Sequence, residues 1–255
     1  MRAPYRAALA ALALLAAPLL VPSARAQETP PLPNVSWSFE GPFGTFDRAA
    51  LQRGFLIYKN VCSACHSMNL LYYRNLSAIG LSDAQIKAIA ASVQVPTIDD
   101  SGQPAERPGT PADRFHAPFP NDTAAKAANN GAVPPDQSLL VNAREGGPTY
   151  VYAILTGYTD APAGVTVPPG LFYNKYFPGH MIHMPPPLQA DSVSYTDGVK
   201  PTLQQEAHDV TTFLTWAANP NMEERKRMGV KVVLFLVFLT GITYAVKRRV
   251  WADVH

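Results

Sequence analysis

Two cysteines and a histidine lie within five residues, Cys62-Ser63-Ala64-Cys65-His66, and the 255-residue chain has no other cysteine. Two thiols at this spacing, followed at once by an imidazole, can support three chemistries. They can form thioether bonds to the two vinyl groups of one porphyrin, with His66 held beneath the iron as a ligand. They can form a thioredoxin-like redox pair, which expects a strand before the motif. They can also supply half of a zinc site, which needs further Cys or His partners at short spacing. No strand pattern precedes Cys62 and no such partners follow, so the sequence predicts one covalently bound haem c on Cys62 and Cys65, with His66 as axial ligand. A disulfide framework and a four-cysteine zinc site are both excluded.

What the haem does depends on its second axial ligand. An open position suits gas or peroxide chemistry, whereas a Met thioether closes the iron and raises its potential for electron transfer. Met68 lies too close to His66 to reach the other face. Met181 and Met184 lie in Phe177-Pro178-Gly179-His180-Met181-Ile182-His183-Met184-Pro185-Pro186-Pro187, a rigid, helix-excluding segment. His180 and His183 compete with them on chemistry alone.

Helices and loops must position these groups. A helix is predicted from an Asp47 N-cap, with Leu51, Phe55, Tyr58 and Val61 on one face, running straight into Cys62. A second is predicted over 82–91 with Ser82 as cap. Val95 to Pro120 reads as a long loop, 136–158 as partly helical with Tyr150, Ile154 and Leu155 as core, and Pro162 to Pro187 as irregular. Thr202-x-x-Gln205 reads as a capping box that opens a helix carrying Ala207, Val210, Leu214 and Ala217 and ending at Asn219-Pro220. With 25 Pro and 16 Gly, the chain reads as mostly α with long irregular loops.

Both ends of the chain read as membrane-related. Residues 1–26 have Arg2 and Arg6, an apolar run and Ala24-Arg25-Ala26, the pattern of a cleaved signal peptide. The segment is short for a two-part mitochondrial presequence, which favours a bacterial source. Residues 225–249 hold an apolar stretch flanked by Arg225, Lys226, Arg227 and by Lys247, Arg248, Arg249, long enough to span a bilayer. The expected layout is a haem domain over 27–224 in the periplasm, a single anchor in the inner membrane and a cytoplasmic tail over 250–255. Within 27–224, 18 acidic side chains face 11 basic ones, a formal charge of −7. Such a domain excludes a nucleic-acid partner and suits a basic protein partner.

The segments Arg53-Gly54-Phe55, Tyr58-Lys59 and Val61 through Met68 resemble the haem region of the cytochrome c1 family. So do Ala128-Asn129-Asn130-Gly131-Ala132 with Pro134-Pro135-Asp136, Ala143-Arg144 with Gly146-Gly147, Leu155 to Tyr158, Tyr176 to Gly179, and Trp216 to Ala218 leading to Arg225 to Gly229. The resemblance covers residues 35 to 250 in order. It implies a cytochrome c-like haem domain on one C-terminal transmembrane helix, Met184 rather than Met181 as second axial ligand, and Arg144 on a haem propionate. It also implies a pocket lined by Asn129, Pro135, Tyr150 and Tyr58. The implied role is a one-electron relay in a respiratory or photosynthetic chain, from a Rieske iron–sulfur protein to a cytochrome c, within a dimeric complex that includes cytochrome b, with membrane lipid around the anchor. The chain would not be an enzyme by itself. Pro185 stands where the family usually has a small residue, and the chain cannot form the extra disulfide that braces some bacterial relatives. A free-standing membrane-anchored carrier and an open-site haem enzyme or gas sensor are the competing readings.

Overall fold

The computed structural model describes residues 29–254, so the expected signal segment at 1–26 lies outside the described residues. Among them are six α-helices: α1 Arg48–Asn60, α2 Asp83–Ala91, α3 Asp122–Ala128, α4 Gly147–Thr156, α5 Leu203–Ala218 and α6 Met222–Val250. Two small antiparallel pairs join them, β1 Gln94–Ile98 with β2 Pro104–Pro108 and β3 Phe172–Tyr173 with β4 Met181–Ile182. The fold is mostly helical, with one C-terminal apolar helix long enough to cross a membrane by length and composition.

Local chemistry sets the helix starts as expected. Asp47 accepts from the Ala49 and Ala50 backbone N–H groups at 2.9 and 3.3 Å, and Ser82 and Gln85 close a reciprocal capping box on α2. On α5 only half of the expected box forms. Thr202 accepts from Gln205 N, but the Gln205 amide turns forward to Asp209 Oδ1 at 3.0 Å instead of back to the cap.

The domain is built around the crossing of α1 and α5. Leu51, Phe55, Ile57 and Tyr58 of α1 are buried, and Ala207, Val210, Phe213, Leu214 and Ala217 of α5 meet them or their neighbours in the main core. Val61, expected on the same face, is only half-buried. Gly54 sits at the closest approach, where a Cβ atom would lie 2.1 Å from the Asp209 carbonyl oxygen and 2.7 Å from Phe213 Cβ. Beside it Arg53 forks onto the fully buried Asp209 carboxylate at 2.7 and 3.0 Å and reaches Asp197 at 2.6 Å. The bond to Asp209 holds the guanidinium pKa above its ordinary value even though burial opposes it.

The 95–120 stretch departs from the loop expectation. Residues 94–108 form a hairpin closed by Asp99, whose Oδ1 accepts from Ser101 N and Gln103 N, both at 2.9 Å. Pro96, Pro104 and Pro108 hid it, because proline normally argues against a strand and is tolerated in such an isolated ladder. Beyond it, Phe115 folds back onto Tyr73 with ring centroids 4.8 Å apart. Helix α3, capped by Asn121, had no counterpart in the sequence reading.

Helix α6 begins three residues before the expected anchor, and its first turn is bonded to the domain. Glu223 accepts from Phe46 N at 2.8 Å and pairs with Arg48 at 2.7 Å, while Lys226 donates to the carbonyls of Phe39 and Gly44 at 2.6 and 3.1 Å.

Two outcomes follow from this packing. Gly54→Ala should cost about 1–3 kcal/mol by overpacking the crossing, read as a lower denaturation midpoint with the haem still attached; an unchanged midpoint would mean the crossing is loose. Glu206, fully buried on α5 with Oε1 accepting from Val193 N and Oε2 without a partner, has its pKa raised by burial. Its stabilising share is therefore complete below the ordinary glutamate range of ~4.3 and is lost as pH rises through the raised value. Glu206→Gln should flatten that part of the melting-temperature profile, and parallel profiles for the two proteins would contradict the assignment.

Candidate functional site

The motif leaves α1 on a tight turn. Val61 N donates to Ile57 O, and then Cys65 N and His66 N both donate to Cys62 O at 3.1 and 2.9 Å. This 3-10 turn buries Cys62, leaves Cys65 exposed and turns the His66 ring inward. His66 Nδ1 lies 2.8 Å from the Pro135 carbonyl, so it carries the hydrogen in that bond and Nε2 is left as the free lone pair. Burial holds the His66 pKa below its ordinary value, against the opposing pull of Pro135 and Asp136, so the ring is neutral and fit to ligate at pH 7.

The Pro135 carbonyl is held in place by its neighbour. Asp136 accepts from Ser67 Oγ and Asn69 N on one side and from Ser138 N on the other, each at 2.8 Å. Burial pushes the Asp136 carboxyl up, but these bonds outweigh it and keep the group ionised. The loop after the motif and the segment after Pro135 are thus stitched together across about seventy residues of chain.

A second assembly forms at the end of α4. Gly146, in the left-handed region at φ +81°, turns the chain into α4 just after Arg144. At the other end the buried Asn174 amide donates to Ile154 O at 2.7 Å and accepts from Tyr176 N at 3.0 Å, which ties 172–182 to the helix. Tyr158 Oη donates to the Met184 carbonyl at 3.0 Å and fixes the start of the proline run. Ala153, Ile154, Tyr176 and Ile182 form a small apolar cluster there, separate from the main core, with Tyr150, Phe177 and Met184 packed against it.

Between the two clusters lies a cavity of about 340 Å³. Cys62, Val151, Leu155, Val210 and Leu214 of the main core border it on one side, and Ile154, Phe177, Ile182 and Met184 of the small cluster also line it. Cys65, His66, Asn129, Pro135, Gln137, Arg144, Tyr150 and His183 also line it. A larger cavity of about 560 Å³, under Arg74, Lys87 and Trp216, contains none of the motif residues.

Every site residue expected from the sequence except Tyr58 lies on the smaller cavity. Tyr58 is buried behind it, with its hydroxyl 3.4 Å from the His66 carbonyl. Of the competing ligands, Met184 and His183 face the cavity. Met181 lies in β4 off the wall, Met68 is fully buried in the main core, and His180 stacks on Tyr173 at 5.5 Å. Asn129 spends its amide on Ala125 O at 2.7 Å, capping α3. The exposed Arg144 guanidinium bonds only the adjacent Ala143 carbonyl among the described residues, so it can still take an anion.

Sequence reasoning missed Asp136, Tyr158 and Asn174 as supports, and Gln137 on the wall. Asp136 and Tyr158 stood in segments that were noted, but the supporting roles of all four show only through partners far away in the chain. The rival chemistries fare poorly. Burial pushes the Cys62 thiol up to about 12, the reverse of an activated redox thiol. Among the described residues, no three His, Cys, Asp or Glu side chains converge to hold a metal ion. Two thiols, a neutral imidazole with a free Nε2 and an apolar slot beside them fit a covalent haem.

Comparison with known proteins agrees with this chemistry. A family model described as the Cytochrome C1 family matches residues 37–254. The chain is 48% identical over 246 residues to cytochrome b/c1 of Bradyrhizobium diazoefficiens, an alignment covering 88% of this chain but only 36% of that longer protein. It is 47% identical over 235 residues to cytochrome c1 of Rhodospirillum rubrum, covering 86% of each. It is 45% identical over 224 residues to the mitochondrial cytochrome c1 heme protein of Saccharomyces cerevisiae, covering 87% of this chain and 72% of that one. The chain therefore belongs to the cytochrome c1 family, electron-transfer subunits of the cytochrome bc1 complex that carry one covalent haem c and are not enzymes by themselves.

Proposed function

We propose that this chain is the membrane-anchored relay that passes single electrons from a Rieske iron–sulfur protein to a cytochrome c, within a dimeric complex containing cytochrome b. The observation that carries this reading is the single cavity on which Cys62, Cys65 and His66 meet Met184 while Met181 is turned away. Bound haem c supplies the one-electron chemistry of its iron.

The chain's own groups do the rest. Cys62 and Cys65 would hold the porphyrin covalently, and His66 and Met184 would ligate its iron. Pro135 orients the imidazole through its Nδ1 hydrogen, and Tyr158 holds the Met184 backbone. Arg144, exposed beside the cavity, would neutralise a propionate, since a guanidinium can fork onto a carboxylate. Asn129, Pro135 and Tyr150 shape the pocket, and Tyr58 backs it. The apolar walls exclude water, and the thioether of Met184 in that setting favours a raised potential suited to relay.

The exposed apolar surface of α6 suits contact with lipid, and the segment at 1–26 supports a periplasmic haem domain with a cytoplasmic tail. The net acidic domain suits a basic cytochrome c as acceptor.

Two measurements test the reading. The reduced protein should show a c-type spectrum that CO leaves unchanged at neutral pH. Met184→Leu should make it CO-reactive and lower its midpoint potential, while Met181→Leu does neither; the opposite result would reassign the ligand. Solubilised in mild detergent, the chain should co-purify with a cytochrome b and a Rieske protein. Isolation alone, with full haem content, would favour a free-standing carrier.

A further inference from the structure

We propose that Gln137 sets the redox potential of this site, its uncommitted amide holding the potential below the value that an all-apolar wall would give. The inference rests on haem occupying the cavity and is independent of which residue provides the second axial ligand. Gln137 is 6% exposed and lines the cavity, and its Oε1 has no hydrogen-bond partner. Its backbone is pinned: N donates to Ser67 O at 2.8 Å and O accepts from Leu140 N at 3.4 Å. Pro135, two residues earlier, carries the carbonyl that orients His66, so the Gln137 backbone lies on the histidine-bearing side of the site.

The other polar groups on this wall are committed or open to solvent. His66 is bonded to Pro135, Asn129 caps α3, and Arg144 and His183 are exposed. The Gln137 Oε1 is thus a buried acceptor with no protein group to satisfy it, and a buried polar atom in that state calls for an explanation. Leu140, Ile154, Leu155 and Leu214 line the same cavity and keep its dielectric low, which strengthens any charge–dipole interaction. The oxidised iron centre carries one more positive charge than the reduced one. A dipole free to turn its oxygen toward that charge favours the oxidised state. Replacing it with an apolar side chain of similar length removes that preference and raises the potential.

The test is a potentiometric titration of the full-length, haem-loaded protein in detergent, comparing wild type with Gln137→Leu and Gln137→Met. Both variants should keep the reduced spectrum and its indifference to CO. Both should favour reduction about tenfold more, a rise of ~59 mV for one electron. A potential unchanged or lowered in both variants would overturn the proposal. Failure of both to hold haem would do the same by making Gln137 a structural residue. A wild-type protein that itself bound CO would count against Met184 ligation and leave this test standing.

Discussion

Everything in the domain depends on how closely α1 approaches α5. Gly54 removes the side chain that would block contact, and the Arg53–Asp209 fork fixes the rotation of one helix on the other. A buried ion pair of this kind adds little net stability, because desolvation offsets most of the attraction. Its value lies in register. Helix α1 delivers Cys62 at its end and α5 offers Val210 and Leu214 to the same cavity, so a rotation of either would separate the attachment point from the wall.

The second constraint is that the cavity belongs to two apolar clusters rather than one. The main core supplies the attachment side and the small cluster under α4 supplies Met184. Only α4 contributes to both, Val151 and Leu155 to one and Ala153 and Ile154 to the other, from different faces of the helix. A haem held in this cavity would be part of the hydrophobic core and a bridge within it. The polar supports, Asp136 on one side and Asn174 with Tyr158 on the other, hold backbone rather than lining the cavity themselves.

Much of this was legible in the chain, and the boundary is physical. The attachment motif could be read because covalent geometry demands contiguous residues. Asp47, Ser82 and Thr202 could be read because caps act within one turn. The hairpin at 94–108 could not, since its prolines argue against strands and only Val95 of β1 is buried. Met184 could be separated from Met181 only by resemblance, because two residues of extended chain decide which way a side chain points. The bond from Tyr158 to Met184 and the unsatisfied Gln137 amide are long-range outcomes of packing and leave no local mark.

Glu223 and Lys226 join the first turn of α6 to the loop at 39–48, with no hinge between the domain and its stalk. From Met222 to Met228 the helix rises about 9 Å. On the membrane reading, that rise sets a fixed stand-off, and the haem edge is carried at one height and one tilt above the lipid. A stationary relay of this kind does not reach for its partners. On the proposed relay reading, any travel between an iron–sulfur donor and a soluble acceptor would have to be made by them, and a loosened foot would blur the distances on which electron transfer depends.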